Sequence, residues 1–388
     1  MSEIVIRQNY KLLPNKRTAH LHDACNISGI IWNHCIALQR RYYKLTGRYI
    51  SRFDLQKHIA KLRMKRAKYA YWKLVGAQSV QDLCKRVDTA YKRFFKGLAG
   101  MPKFRKVKQY RSFTLFQNGW KLLEQGERYA RIKILGKAYK FHFHRPLAGD
   151  ISSVSVIRRG GRFWLSFVVK VLSPVKAGEQ TQGKTAAFDF GLRTFITADN
   201  GEGRQSPEFF KHNRRLLAQR QVNLSRKVNG SNNHKRALRQ LAQAQFRIAQ
   251  QRANFHWQLA HELCHKYDTL IFEDLDLEGM KRLWGRKVSD LGFGSFLKKL
   301  QWVAEKQGKK LVFIDRFYPS SKACSRCGNV KAEMPLRERI YKCEECGLEL
   351  DRDQNAARNI KRVGLTCCQR ERKTDNSAIP LTANCVAI

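Results

Sequence analysis

Two sets of side chains in this 388-residue sequence have the types and spacing that chemistry needs. The first is cysteine. Cys324, Cys327, Cys343 and Cys346 form C-x2-C-x15-C-x2-C, and each pair is followed by glycine. A two-residue gap lets backbone amides fold around a sulfur, and four thiolates complete a closed tetrahedral shell about 2.3 Å from zinc. Two disulfides, an iron–sulfur cluster or free thiols are the competing readings, and the spacing favours a zinc ribbon. A closed shell has no open position, so one structural Zn2+ is expected, without catalytic chemistry of its own.

The second set is acidic. Asp189 in AAFDFG and Glu273 in LIFEDL each end an apolar run, and Asp351 and Asp353 stand one residue apart where LDRDQNAARNI turns helical. Acids are scarce here, 31 against 76 Lys and Arg, for a net charge of +45. A carboxylate buried without a partner is costly, and a lysine could compensate any one of them alone. Three acids at element boundaries fit a hard cation better, because Mg2+ takes oxygens from a few carboxylates, waters and substrate phosphate. Two such ions roughly 4 Å apart activate a water and stabilise the leaving oxygen of a phosphodiester. Nucleic-acid cleavage is the chemistry this set suggests.

The rest of the chain must position these residues. Its 43% hydrophobic and 11% aromatic content, with only 8 prolines, implies folded structure, and the length allows two or three domains. The first 150 residues hold 33 Lys and Arg against 8 Asp and Glu. Such self-repulsion is relieved by a polyanion, so the charge reads as a nucleic-acid footprint. A partnerless charged surface or a membrane-surface binder is the alternative; the latter would gather its charge on one amphipathic helix. No apolar run approaches the roughly 20 residues of a spanning helix, and MSEIVIRQNYKLL lacks a signal-peptide core. The other seven cysteines show no disulfide framework, as in a reducing compartment. A cytoplasmic protein with no membrane partner is expected.

Alternation over residues 1–13 predicts a strand. Helical spacing covers 17–98, with Val87, Ala90, Tyr91, Phe94 and Phe95 on one face. RYARIKIL, KAYKFHFH, SSVSVIRR and GRFWLSFVVKV read as short strands, which with the first suggest a small antiparallel barrel interrupted by a helical insertion. Residues 173–184 look like a linker. Beyond it the pattern is α/β: two strands around Gly191, a basic helical region from 207 to 266 broken at NGSNN, the strand DTLIFEDL, the helix LGFGSFLKKLQWVAEKQG and the strand KKLVFIDRF. Leu238, Leu241, Ile248, Phe255, Leu259 and Leu263 are expected along one helix face, and the tail from 367 is expected to be loose.

FDFGLRTFIT, IFEDLDLEGM, FYPSSKACSRCG and CGLELDRDQNAARNI, in that order, resemble the three RuvC-type segments and embedded zinc ribbon of the TnpB (OrfB) family. These are transposon-encoded, RNA-guided DNA endonucleases related to the type V CRISPR effectors. AYKRFFKGLAGMPKFRKVKQYRSFT and QRANFHWQLAHEL resemble further stretches of that family, so the likeness spans nearly the whole chain. It implies a multidomain α+β protein: an RNase H-like (RuvC) nuclease domain at 185–317 and 348–366, with a zinc ribbon at 318–347. A β-barrel wedge domain would occupy 1–15 and 99–172, interrupted by a helical recognition domain at 16–98. It also implies that Asp353 completes a Mg2+-binding catalytic triad with Asp189 and Glu273. Asp351 would then be a cap or supporting acid, Asp274 and Asp276 structural acids, and Asn355 an orienting or helix-start residue.

By the same resemblance the partners are a guide RNA derived from the transposon end and a double-stranded DNA target beside a short flanking motif. One subunit would act with one RNA, near the nucleoid of a prokaryote. Base pairing would read sequence while the protein holds backbone geometry in a basic channel. QRRYYKLTGRY, KLRMKRAKYAYWK and KFRKVKQYRSF interleave cations with aromatics, about half of which should pack inward. Lys103, Arg105, Lys106 and Lys108 are candidates for nucleic-acid contact. Gln78, Ser79 and Gln81 are candidates for reading the flanking duplex, with Ser79 as a helix cap the alternative. A cleavage-inactive guided repressor and a guide-independent transposase are the competing functions, and the intact acid triad speaks against the first.

Overall fold

A computed structural model describes residues 2–15, 18–116, 118–173, 183–335 and 337–374. The linker expected at 173–184 lies mostly outside them. Two compact units divide the chain, Met1–Pro174 and Val175–Ile388.

In the first unit, β1 (Ser2–Lys11) is followed by α1 (Thr18–Thr46), α2 (Arg52–Lys65), a 3-10 turn at Ala67–Leu74 and α3 (Ala77–Phe95). Six strands complete it: β2 (Ser112–Leu115), β3 (Trp120–Gln125), β4 (Tyr129–Ile134), β5 (Lys137–His142), β6 (Asp150–Arg159) and β7 (Arg162–Ser173). They form two antiparallel sheets, β1-β7-β6-β2 and β3-β4-β5, joined by a bridge between Leu12 and Phe141. Alternation directs Tyr10, Phe113, Ile132, Phe141, Val156 and Phe167 into one shared core. The helices bury a separate core around Ile31, Leu55, Trp72 and Leu83. Val87 and Tyr91 join it as the spacing of α3 requires, but Phe95, the last residue of the helix, is 52% exposed and meets the rings of Tyr43 and Tyr49 at the edge of that core.

The second unit opens with β8 (Thr185–Phe190), β9 (Thr194–Ala198) and β10 (Gly203–Gln205), followed by α4 (Phe209–Ser225) and α5 (Asn232–Lys266). Then come β11 (Thr269–Glu273), α6 (Leu277–Leu291), α7 (Phe293–Gln307) and β12 (Lys310–Ile314). A hairpin of β13 (Ile340–Lys342) and β14 (Glu349–Asp351) precedes α8 (Arg352–Thr374). The sheet order is β10-β9-β8-β11-β12, antiparallel through β8 and parallel from β8 to β12.

Both faces of the central strands are buried, which is why they read as continuous apolar runs. Phe188, Phe190, Leu270, Phe272 and Leu311 meet α5, α6 and α7 on one face. Ala187, Ile271, Val312 and Ile314 meet Ile360 of α8 on the other. Leu238, expected on the packed face of α5, is 50% exposed, since the start of that helix has only α4 beside it. Helix α6 was not evident in the sequence, and α8 continues to Thr374, past the point where a loose tail was expected. Cys25, Cys35, Cys84 and Cys264 are buried free thiols, whereas Cys367 is disulfide-bonded, which the expectation of no disulfides among these cysteines did not include. No described helix is long and apolar enough to cross a membrane.

Candidate active site and four-cysteine hairpin

The register of two parallel strands sets the first two acids. Phe272 of β11 lies opposite Phe188 of β8, so Glu273 and Asp189 follow at the same level on neighbouring strands, about 4.8 Å apart in backbone spacing. Since Phe188 and Phe272 point to the α5–α7 core, the next residue on each strand points to the α8 face. Asp353, in the first turn of α8, arrives at that face because α8 packs across β8, β9, β11 and β12. All three partly buried acids line one cavity of about 910 Å3. Gly191 lets the β8–β9 turn pass beneath: a Cβ there would stand 2.6 Å from the Thr194 carbonyl and 3.7 Å from Asp353 Oδ2.

The acids crowd one another. Burial lifts the Asp189 carboxyl well above its usual range, and the charges of Asp353 and Glu273 lift it further, against the Phe190 amide and Arg352. Burial raises Glu273 to about 7, although the Ser320 hydroxyl donates to its Oε2 at 3.1 Å. Asp353 is raised by burial and by Asp351, with Arg339 and Arg352 opposing. Carboxyls this crowded resist ionising together, and a cation in place of their protons would relieve the repulsion between them. Lys322, Arg339 and Arg352 line the same cavity, a cationic wall that would suit a phosphate backbone.

The neighbouring acids have structural duties, as expected. Asp351 Oδ1 accepts from the amides of Asp353 at 2.9 Å and Gln354 at 3.1 Å, capping α8. Asp276 caps α6 through the amides of Glu278 and Gly279. Asp274 pairs with Arg316. Asn355 is buried inside the first turn of α8, where it accepts from the Ser325 amide at 3.0 Å and donates to the Ala323 carbonyl at 2.8 Å. Asn359, one turn on, donates to the carbonyls of Ser320 and Ala323 at 2.9 and 2.7 Å. Together they bind the cysteine hairpin to the helix that carries Asp353. The sequence reading missed Asn359, Ser320 and the arginines; Arg352, set between two aspartates, was the available signal.

The four cysteine sulfurs lie within 4.8 Å of one another, with Cys324 and Cys346, and Cys327 and Cys343, each 3.5 Å apart. A tetrahedron with metal–sulfur bonds near 2.3 Å has edges of about 3.8 Å, so the cage suits one such ion. The two knuckles repeat one geometry: Gly328 donates to the Cys324 carbonyl and Gly347 to that of Cys343. Both glycines have positive φ, 84° and 70°, which explains the glycine after each pair.

The nucleic-acid candidates divide. Lys103, Arg105, Lys106 and Lys108 are exposed on a segment whose backbone is pinned by Trp32 and Asn33 of α1 and by Arg158. Gln81 is exposed, while Gln78 accepts from the Phe116 amide at 3.0 Å. Ser79 is a correction: it is fully buried, donates to the Thr114 carbonyl at 2.7 Å, and is neither a cap nor free to meet a base. Tyr42, Tyr43, Tyr71 and Phe104 face outward, whereas Trp72 and Phe113 are buried and Tyr49, Tyr69 and Tyr110 pack half-buried against the helical core, near the even division expected. Residues 209–261, spanning α4 and most of α5, hold eleven Lys and Arg and no Asp or Glu.

These features define a multidomain α/β protein with a carboxylate cleft and an inserted four-cysteine hairpin. Residues 166–283 match the OrfB family described as "Probable transposase", and residues 293–360 match the "Cas12f1-like, TNB domain". A protein of Streptomyces pristinaespiralis named "Putative RNA-guided DNA endonuclease" is 30% identical over 302 residues, covering 76% of this chain and 73% of that one. InsQ of Escherichia coli K12, which bears the same description, is 24% identical over 86% of each chain. The chain belongs to the TnpB (OrfB) family. Its fold is similar to that of Cas12f1 solved with guide RNA and target DNA, with a TM-score of 0.59 and 14% identity over 89% of this chain and 83% of that one.

Proposed function

We propose that the protein is an RNA-guided DNA endonuclease that hydrolyses a phosphodiester of its target, beside a short flanking motif, in a RuvC-like carboxylate site. The observation that carries this reading is the convergence of Asp189, Glu273 and Asp353 on one cavity from two parallel strands and a helix start. The sheet order, three antiparallel strands followed by two parallel ones, supports an RNase H-like core. Asp189, Glu273 and Asp353 would hold two Mg2+ ions, and their hard oxygen donors, converging on one cavity, suit them. Bound there, the metal would activate a water and stabilise the leaving oxygen.

The chain's own groups position the strand. Lys322, Arg339 and Arg352 meet phosphate, Ser320 orients Glu273, and Asp351 fixes the helix start that presents Asp353. The four cysteines hold one structural Zn2+ and keep the 318–347 hairpin folded on α8. The first unit serves as wedge and helical recognition domains, with Gln81, Lys103, Arg105, Lys106 and Lys108 on its nucleic-acid surface.

The test is purification with co-expressed flanking sequence, followed by sequencing of bound RNA and cleavage of a matching plasmid. Wild type should cut in Mg2+ and Asp189→Ala should not. Equal cutting by both would refute the site, and absence of a discrete RNA would refute guidance.

A further inference from the structure

Phe317 follows β12 and is 85% exposed, more than any other large apolar side chain among the described residues. Its position is fixed all the same. The Phe317 amide donates to Asp315 Oδ1 at 2.7 Å, the Tyr318 amide donates to the Asp315 carbonyl at 3.2 Å, and the Tyr318 hydroxyl accepts from Arg362 at 3.2 Å. Arg316, on its other side, is held by Asp274. A rigid turn that displays an aromatic ring to water gains nothing in folding from that ring.

The ring stands between two hollows. Phe317 and Arg316 line the cavity of the three acids, and both also line a neighbouring cavity of about 520 Å3 between α7 and β12. That second cavity is mainly apolar, walled by Leu297, Phe313 and Ile314, with Lys298, Gln301 and the Asp274–Arg316 pair as polar groups and Asp315 at its edge. Its size lies within the range of about 300–1,000 Å3 usual for small-molecule sites. An apolar slot with an aromatic edge, a few polar groups and acids next door suits a flat, heteroaromatic ring tethered to a phosphate.

We propose that the cavity between α7 and β12 is a nucleobase subsite, which receives a base unstacked from the DNA strand being cut and stacks it on Phe317. The adjacent phosphate is thereby drawn over Asp189, Glu273 and Asp353, and Phe317 acts as a positioning residue for cleavage. The proposal rests on the nuclease reading above. Base–aromatic stacking tolerates every base, so the subsite would fix where the backbone is cut without adding sequence preference.

The test uses the full chain loaded with guide RNA, under single-turnover conditions, on a matched target and on the same target with abasic nucleotides flanking the cut. Phe317→Ala should slow cleavage of the intact target about 10- to 100-fold with unchanged target binding, and Phe317→Trp should restore most of the rate. The abasic target should slow wild type by a similar factor and Phe317→Ala no further, because both changes remove one contact. The ring is too exposed for its loss to unfold the protein. Wild-type rates for Phe317→Ala, or penalties that multiply, would overturn the subsite while the nuclease reading stands. A wild-type complex that leaves the matched target whole would overturn both.

Discussion

Asn355 ties the cysteine hairpin to the acid cleft, and its removal has a calculable cost. Asn355→Ala strips the Ser325 amide of its acceptor, while the Ala323 carbonyl keeps Asn359 Nδ2 at 2.7 Å. One orphaned buried N–H costs about 1–3 kcal/mol, and truncating a fully buried side chain adds a further ~1 kcal/mol for the void. The sum is about 2–4 kcal/mol, a large part of the stability of an ordinary domain. Asn355→Asp separates the two bonds. It keeps an acceptor for Ser325 but turns an oxygen toward the Ala323 carbonyl, now 2.8 Å from Nδ2. The introduced carboxyl should therefore titrate above its ordinary range. Sign follows from that: the variant is most stable at low pH, where the carboxyl is protonated and can donate, and loses stability as pH rises through the raised folded-state pKa. Urea denaturation in zinc-containing buffer, with hydrogen exchange at the Ser325 amide, measures both. A change below about 0.5 kcal/mol in Asn355→Ala, with that amide still protected, would refute the clamp.

Two further outcomes follow from the same geometry. Without Mg2+, Glu273 holds its proton up to about pH 7 in the folded protein against an ordinary value of 4.5, so stability falls as pH rises from 4.5 through 7. Glu273→Gln, neutral throughout, should lose that part of the slope and be the more stable protein at pH 8; parallel urea midpoints for the two across this range would contradict the buried-acid account. Gly364→Ala sets two effects against each other. Helix propensity favours alanine by about 1 kcal/mol, but a Cβ at 364 would overlap Ile271 Cγ2 and lie 2.9 Å from its Cδ1, an overpacking that costs about 1–3 kcal/mol. The melting temperature should fall, and a rise would show that α8 is free to move away from the sheet.

Asp189 and Glu273 were legible because each ends a buried apolar run, where a carboxylate has no packing role, whereas Asp353 was picked out from Asp351 only by the family resemblance; only the pairing register could add that Asp189 and Glu273 stand level. The cysteine cage was legible from spacing alone. Helix α6 was hidden because Gly285, at positive φ, breaks its regularity and few of its residues are buried. Strand β3 was missed because its residues are at most half-buried, which blurs the alternation. The error at Leu238 has a different origin: periodicity gives the phase of a helix but not how much of its length finds a partner. Ser79 looked like a cap because serine favours helix starts, yet the true start is Gly76 and the hydroxyl serves a neighbouring strand. The cationic wall needs three-dimensional placement, since one arginine among 76 basic residues carries no distinguishing mark.

The order in which the ribosome releases the chain bears on safety as well as on folding. Strand β8 and strand β11 emerge long before α8, and the cysteine hairpin must emerge between β12 and that helix. A polypeptide still attached at its far end therefore carries two of the three carboxylates and lacks the last. On the proposed reading, translation that stalls before Arg352 yields a fragment whose cleft is missing Asp353 and which should be unable to nick DNA.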